Sequence, residues 1–149
     1  MAKQVSAIRT PPLAGRHIAN GHVTIEAEKP AARISLRASR KGATAYSKTL
    51  GMNLPTEPSQ MSAQGGRMAV WLGPDEWLII DEKQAASELM PKRDSKEISA
   101  VDISHRNTAI TVSGDAVTNL LNEASPRNLS LESFPVGTGS RTILGKAEI

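Results

Sequence analysis

Residues 69–80 read AVWLGPDEWLII, and this stretch limits the fold more than any other. Two apolar runs flank Gly73-Pro74-Asp75-Glu76. Pro followed by Asp suits the two central positions of a type I turn. The pattern predicts a hairpin with strands over 67–72 and 76–80. A two-residue type I turn matches strand twist poorly, so a bulge or a longer loop is expected at the tip. Counting by alternation puts Val70, Leu72, Trp77 and Ile79 on one face, and Ala69, Trp71, Leu78 and Ile80 on the other. Both faces are apolar, so both need cover. One side would meet the domain core. The other would meet a helix, the N-terminal arm or a partner. The chain has two Trp, one Tyr and one Phe, and both tryptophans lie in this hairpin. They read as core residues or as interface anchors.

Upstream, Thr10-Pro11-Pro12 stops regular structure, because proline fixes φ and removes a donor. Asn20-Gly21 marks a turn. Alternation predicts a strand over 22–28, with Val23 and Ile25 on one side. A second strand over 32–38 would turn Ala32, Ile34, Leu36 and Ala38 inward and Arg33, Ser35 and Arg37 outward, so that the arginines line an exposed face. These two strands are expected to pair as a hairpin across Pro30. Residues 39–66 show poor periodicity and give no clear element, with a loop expected over 50–60 and Gln64-Gly65-Gly66 as a hinge.

Downstream, a weakly amphipathic helix is expected over 81–90, ended by Pro91, followed by a charged loop over 92–97. Strands follow over 98–103 and 107–112. Ser113-Gly114-Asp115 reads as the start of a helix, with Ser113 as its cap and Asp115 at the positive end of its dipole. Ala116, Val117, Leu120, Leu121 and Ala124 lie at helical spacing, and Ser125-Pro126 closes the run. Leu129 and Leu131 read as a short extended piece, and strand recurs over 141–144 and 147–149. Short strands with two helices between them define an α+β domain with a mixed or antiparallel sheet. A basic extended arm over 1–22 would precede a single domain over 23–149.

Charge is uneven. Residues 1–50 carry nine Lys/Arg and two acids, whereas 51–100 carry five and eight and 101–149 carry four and five. A basic first third fits nucleic acid, an acidic protein surface or a plain solvated face. Stacking on bases needs aromatics among the basic residues, and Tyr46 is the one available, so nucleic acid is not expected. No apolar run approaches the ~20 residues that cross a bilayer, so no membrane partner is expected. The absence of cysteine removes disulfides and thiol chemistry, and makes the cytoplasm the default compartment.

No motif gives a catalytic, cofactor or metal site. His17, His22 and His105 lack ligand spacing for zinc. Gly137-Thr138-Gly139 is a flexible loop rather than a phosphate cradle. Asp102, Ser104, His105 and Arg106 form the most suggestive polar set: an acid–base pair, or a turn in which Asp102 accepts local hydrogen bonds. Asp75-Glu76 is a carboxylate pair on a turn, read as solvated.

Three stretches together resemble a known family: residues 69–80, AVDISHRNTAITVSGDAVTNLLNEASPRNL over 100–129, and FPVGTGSRTILGKAEI over 134–149. They resemble the gamma subunit of heterotetrameric sarcosine oxidase. The Trp-Leu-Gly-Pro-Asp-Glu-Trp hairpin is the most specific element. Pro11-Pro12-Leu13-Ala14 and Ile34-Ser35-Leu36-Arg37 extend the likeness. The family is similar in turn to the folate-binding domain of glycine-cleavage aminomethyltransferases, which implies the same fold. Those enzymes carry an acidic pair near folate where Gly145-Lys146-Ala147-Glu148 has one acid, so the likeness does not carry a folate site over to this chain. The resemblance implies a non-catalytic accessory subunit whose partners are the alpha, beta and delta subunits. The complex would oxidatively demethylate sarcosine to glycine, forming peroxide and methylene-tetrahydrofolate. Its FAD, FMN, NAD and tetrahydrofolate would be held by the other subunits, and none by this chain. Trp71, Trp77, His105, Arg106, Arg33 and Arg37 are the expected partner-interface residues. The resemblance implies that gamma subunits continue past residue 149, so the expectation is either a naturally short member or a domain trimmed there. The alternative is a standalone folate-binding one-carbon protein.

Overall fold

The computed structural model describes residues 10–92 and 95–149. The first nine residues of the expected arm, and Arg93 and Asp94 of the charged loop, lie outside the described residues. In chain order the elements are β1 (His17–Ala19), β2 (Thr24–Ala27), β3 (Ala32–Ala38), α1 (Arg40–Leu50), β4 (Met61–Gln64), β5 (Arg67–Gly73), β6 (Glu76–Asp81) and α2 (Ala86–Leu89). Then come β7 (Ile98–Asp102), β8 (Ile110–Ser113), α3 (Val117–Ala124), β9 (Ile143–Leu144) and β10 (Ala147–Glu148). The strands form a five-stranded sheet in the order β4-β5-β6-β3-β7, a three-stranded sheet β1-β2-β8 and the pair β9-β10. Every pairing is antiparallel. With three helices, this is the α+β class that the sequence predicts.

The β5–β6 hairpin forms as expected, with one shift. The register slips between Trp71 and Gly73, which places Trp71 directly opposite Trp77. The two tryptophans therefore share a face with Ala69 and Ile79, whereas alternation counted through the turn had put them on opposite faces. A bulge adds one residue to one strand, and side-chain parity beyond it reverses. Ala69, Trp77 and Ile79 face the core, together with Ile34 and Leu36 of β3.

β3 does not pair with β2. Its neighbours are β6 and β7, while β2 lies between β1 and β8. Pro30 gives no amide to a hairpin turn. Five of the seven β3 residues are buried, Arg33 among them at 5% exposure, as suits a strand with neighbours on both sides. The expected row of exposed arginines is thus reduced to Arg37. That side chain reaches the hairpin tip, where it pairs with Asp75 at 3.5 Å and Glu76 at 3.2 Å. Arg141 holds the other Glu76 oxygen at 2.6 Å. The turn carboxylates are clamped from two sides rather than simply solvated.

Helix α1 occupies a stretch to which the sequence pattern assigns no element. Its buried residues are Gly42, Tyr46 and Leu50, one every four positions, which is too sparse a signal for an apolar periodicity. Local chemistry defines its ends instead. The Ser39 hydroxyl accepts from the Gly42 amide at 3.1 Å, and Gly51 closes the helix in the left-handed conformation at φ 69°. Gly42 also lets the helix approach β7: a β-carbon there would overlap the Glu97 carbonyl. Tyr46 donates its hydroxyl to the Leu89 carbonyl at 2.6 Å. Burial raises its pKa to about 12, against an opposing pull from Arg67.

Two other expected helices are shorter. Asp81 ends β6 instead of opening a helix, and its Oδ1 accepts from the amides of Lys83 at 2.8 Å and Gln84 at 2.9 Å. Only 86–89 then turns helical. Ser113 ends β8 rather than capping α3, which starts at Val117 without a side-chain cap. The Leu129 and Leu131 segment forms no strand.

Two outcomes test these contacts. An interior Gly→Ala change ordinarily favours a helix by about 1 kcal/mol. Gly42→Ala is expected instead to destabilise by ~1–3 kcal/mol through overpacking against β7, read by urea denaturation. The Asp81 carboxylate is opposed by burial but held below its ordinary value of 3.8 by the Lys83 and Gln84 amides and by Arg67. Its folded pKa is depressed, so its contribution is present above the ordinary value and is lost as pH falls through the folded one. Asp81→Asn is expected to cost on the order of 3 kcal/mol at neutral pH and to flatten the acid limb of the stability curve.

Candidate partner-binding surface

The hairpin, α1 and the loop over 51–56 enclose an open groove of about 830 Å³. Along α1 it is lined by Arg40, Ala43, Thr44, Ser47, Lys48 and Gly51. These fall at i, i+3, i+4, i+7, i+8 and i+11, a single helical stripe next to the buried one. The opposite wall holds Met52, Leu54, Pro74 and both tryptophans. Trp77 itself is 4% exposed and donates its indole N–H to the Pro55 carbonyl at 2.7 Å. Trp71 is half-buried, and its indole N–H has no hydrogen-bond partner among the described residues.

The expected interface residues are therefore spread widely. Trp77 and Arg33 are buried in this chain and present no surface of their own. Trp71 lines the groove, and Arg37 is exposed beside the hairpin tip. His105 and Arg106 are exposed on the loop after β7, where the Arg106 amide donates to the Ile103 carbonyl at 2.9 Å. The groove was missed in the sequence because α1 was missed. Its one visible signal was the i, i+3, i+4 series of small residues between Arg40 and Lys48.

The Asp102 set resolves into a turn. Ser104 donates both its hydroxyl, at 2.5 Å, and its amide, at 2.9 Å, to Asp102 Oδ1. The same hydroxyl oxygen accepts from the Arg33 amide at 2.9 Å, tying the turn to β3. These two bonds from Ser104, aided by the nearby His105, hold the Asp102 carboxyl below its ordinary range. The acid is bound into structure, as the local hydrogen-bond reading requires.

The far side of the hairpin is covered by this chain. Gly139 abuts Val70, and its amide donates to Ser59 at 3.0 Å. Arg127 donates to the Ser59 hydroxyl at 2.9 Å and lies 4.8 Å from the Phe134 ring centroid. Among the described residues no group of three or more His, Cys, Asp or Glu is placed to hold a metal, and no helix is long and apolar enough to cross a membrane.

Fold and surface together define an antiparallel α+β domain with a cationic groove on its helix side. A sequence model of the sarcosine oxidase gamma subunit family matches residues 37–149, and the chain belongs to that family. It is 28% identical over 111 residues to sarcosine oxidase subunit gamma of Arthrobacter sp. and 27% identical to that of Corynebacterium sp. (strain P-1), covering 72% of this chain in each case. Each match covers 55% of the relative, so the chain spans about half the length of the curated relatives it matches. The fold is similar to a chain of the heterotetrameric sarcosine oxidase from Corynebacterium sp. U-96 in complex with pyrrole 2-carboxylate. The TM-score is 0.78 at 23% identity, over 89% of this chain and 71% of that one.

The two tryptophans should separate on truncation. Trp77→Ala is expected to cost ~3–5 kcal/mol, because it empties a core site and strips the Pro55 carbonyl of its donor. Trp71→Ala, half-exposed on the groove wall, should cost less than about 2 kcal/mol. Equal losses in guanidinium melts would place both in the core.

Proposed function

We propose that this chain is a non-catalytic accessory subunit of a heterotetrameric sarcosine oxidase, packed against alpha, beta and delta subunits in the cytoplasm. The complex would oxidatively demethylate sarcosine to glycine, with peroxide and methylene-tetrahydrofolate as the other products. FAD, FMN, NAD and tetrahydrofolate would be held by the companion subunits. The observation that carries the reading is the family match, which runs from the end of β3 to residue 149. The internal chemistry agrees with it. The buried hydroxyl of Tyr46 and the buried carboxylate of Asp81 are both committed to bonds within the chain.

The test is co-expression of the tagged full chain with candidate companion subunits, followed by affinity capture. The expected product is a stoichiometric complex, yellow with flavin, that oxidises sarcosine. Titrating tetrahydrofolate into the isolated chain should give no saturable heat. A colourless chain that captures no companion and binds tetrahydrofolate tightly would replace this reading with the standalone one-carbon protein.

A further inference from the structure

The groove beside Trp71 is lined by charge of one sign. Of the residues that line it, Arg40 and Lys48 are cationic and none is acidic. Helix α1 carries Arg40, Lys41 and Lys48 and no carboxylate at all. Neither Arg40 nor Lys48 has an ion-pair partner among the described residues. Elsewhere the exposed arginines Arg37 and Arg141 are paired with acids of this chain. Between the two groove cations the helix offers only Ala43, Thr44 and Ser47, so the floor is shallow and small. The rest of the lining joins Asn53, Thr56 and Gln64 to an apolar set of Met52, Leu54, Pro74 and the tryptophans, with Trp71 half-buried and its indole donor unused.

We infer that this groove docks an acidic segment of a companion subunit, one apolar side chain resting against Trp71 and a carboxylate at each end. The inference rests on the accessory-subunit reading and names where and how the chain is gripped. The spacing fixes the pattern. Arg40 and Lys48 are eight residues apart on one helix face, which is about 12 Å along the axis. An extended chain covers about 13 Å in four residues, and its residues i, i+2 and i+4 face one way. The occupant is therefore an extended acid–x–apolar–x–acid segment. Its outer carboxylates meet Arg40 and Lys48, and its central side chain fills the space over Ala43 and Ser47 against Trp71. Charge-assisted bonds at both ends would fix its register, and the apolar centre would exclude water between them.

The experiment uses the full chain co-expressed with the companion subunits and compares wild type, R40E/K48E and the control K146E, which lies in the turn between β9 and β10. The double reversal is expected to lower recovered complex at least tenfold while melting within a few degrees of wild type; K146E should assemble normally. In the wild-type complex, a zero-length carbodiimide should join Lys48 to an Asp or Glu of a companion that has an apolar residue two positions away. A wild type that assembles beside an R40E/K48E that assembles equally well overturns the groove and leaves the accessory-subunit reading standing. So does a Lys48 that acetylates as fast in the complex as in the free chain, the result expected if the groove holds a small anion instead. A wild type that captures no companion overturns both.

Discussion

One guanidinium holds the helix layer to the sheet. Arg67 opens β5, and its Nε donates to Asp81 at the end of β6 at 2.7 Å, across the open end of the hairpin. Its Nη1 donates to the Leu50 carbonyl, the last of α1, and its Nη2 to Gln84 at 2.5 Å. A cation at a helix C-terminus meets carbonyls that lack intrahelical partners. Asp81 closes the remaining side by accepting the two amides that follow it. Both side chains are largely buried, at 15% and 4% exposure, so their charges are tolerable only together. Remove either and the hairpin, the end of α1 and the approach to α2 lose their common anchor.

That network explains which parts of the fold were legible. Residues whose role is set by neighbours in sequence could be read: the hairpin from its apolar runs and turn, β3 and β7 from alternation, the end of α3 from Ser125-Pro126. Residues whose role is set by a distant partner could not. Arg33 alternates like an exposed residue, yet it is buried where β3 meets the Ser104 turn. Asp81 looks like a helix start and is instead the far end of a strand. α1 shows little apolar periodicity because its sheet-facing residues are a glycine, a tyrosine and a leucine. The bulge at Leu72 was anticipated in kind, but its effect on side-chain parity was not, and that parity decides whether the tryptophans meet. Of the six interface candidates, only the tryptophans line the groove, and of these only Trp71 offers an exposed surface there, because the groove depends on the unread helix.

Packing is unequal across the chain. The five-stranded sheet, α1, α2 and the loop over 51–56 contain every member of the buried apolar cluster. In the three-stranded sheet and α3 no residue is buried, Val23 just before β2 being the nearest that is, even though Val117, Leu120, Leu121 and Ala124 of α3 form a coherent stripe. Ile18, Ile110 and Leu120 remain 63%, 45% and 40% exposed. What secures this half is largely backbone: the Gly145 amide to the Ala124 carbonyl at 2.7 Å, and paired Thr142–Ile149 bonds at 2.8 Å. Solvent-exposed backbone bonds open at lower free energy than a packed core. Global stability therefore resides in the half organised by Arg67, and the other half follows it.

The same inequality bears on the basic first third of the chain. Its charge reads as one patch in the sequence, but the fold gives four of its cations separate tasks. Arg33 is buried under the Ser104 turn, and Arg37 clamps the hairpin tip. Arg40 and Lys48 border the groove. A solvated face would leave such residues interchangeable. Arg40 and Lys48 are both exposed and without an ion-pair partner among the described residues, and they sit on the well-packed half, where a docking element can be held rigid. Two stripes of α1 divide the labour: 42, 46 and 50 fix the helix to the sheet, and 40, 43, 44, 47, 48 and 51 face outward. The fixed stripe is what keeps the outward one at a constant distance from Trp71, so the contacts that stabilise the fold also set the width of the surface it offers.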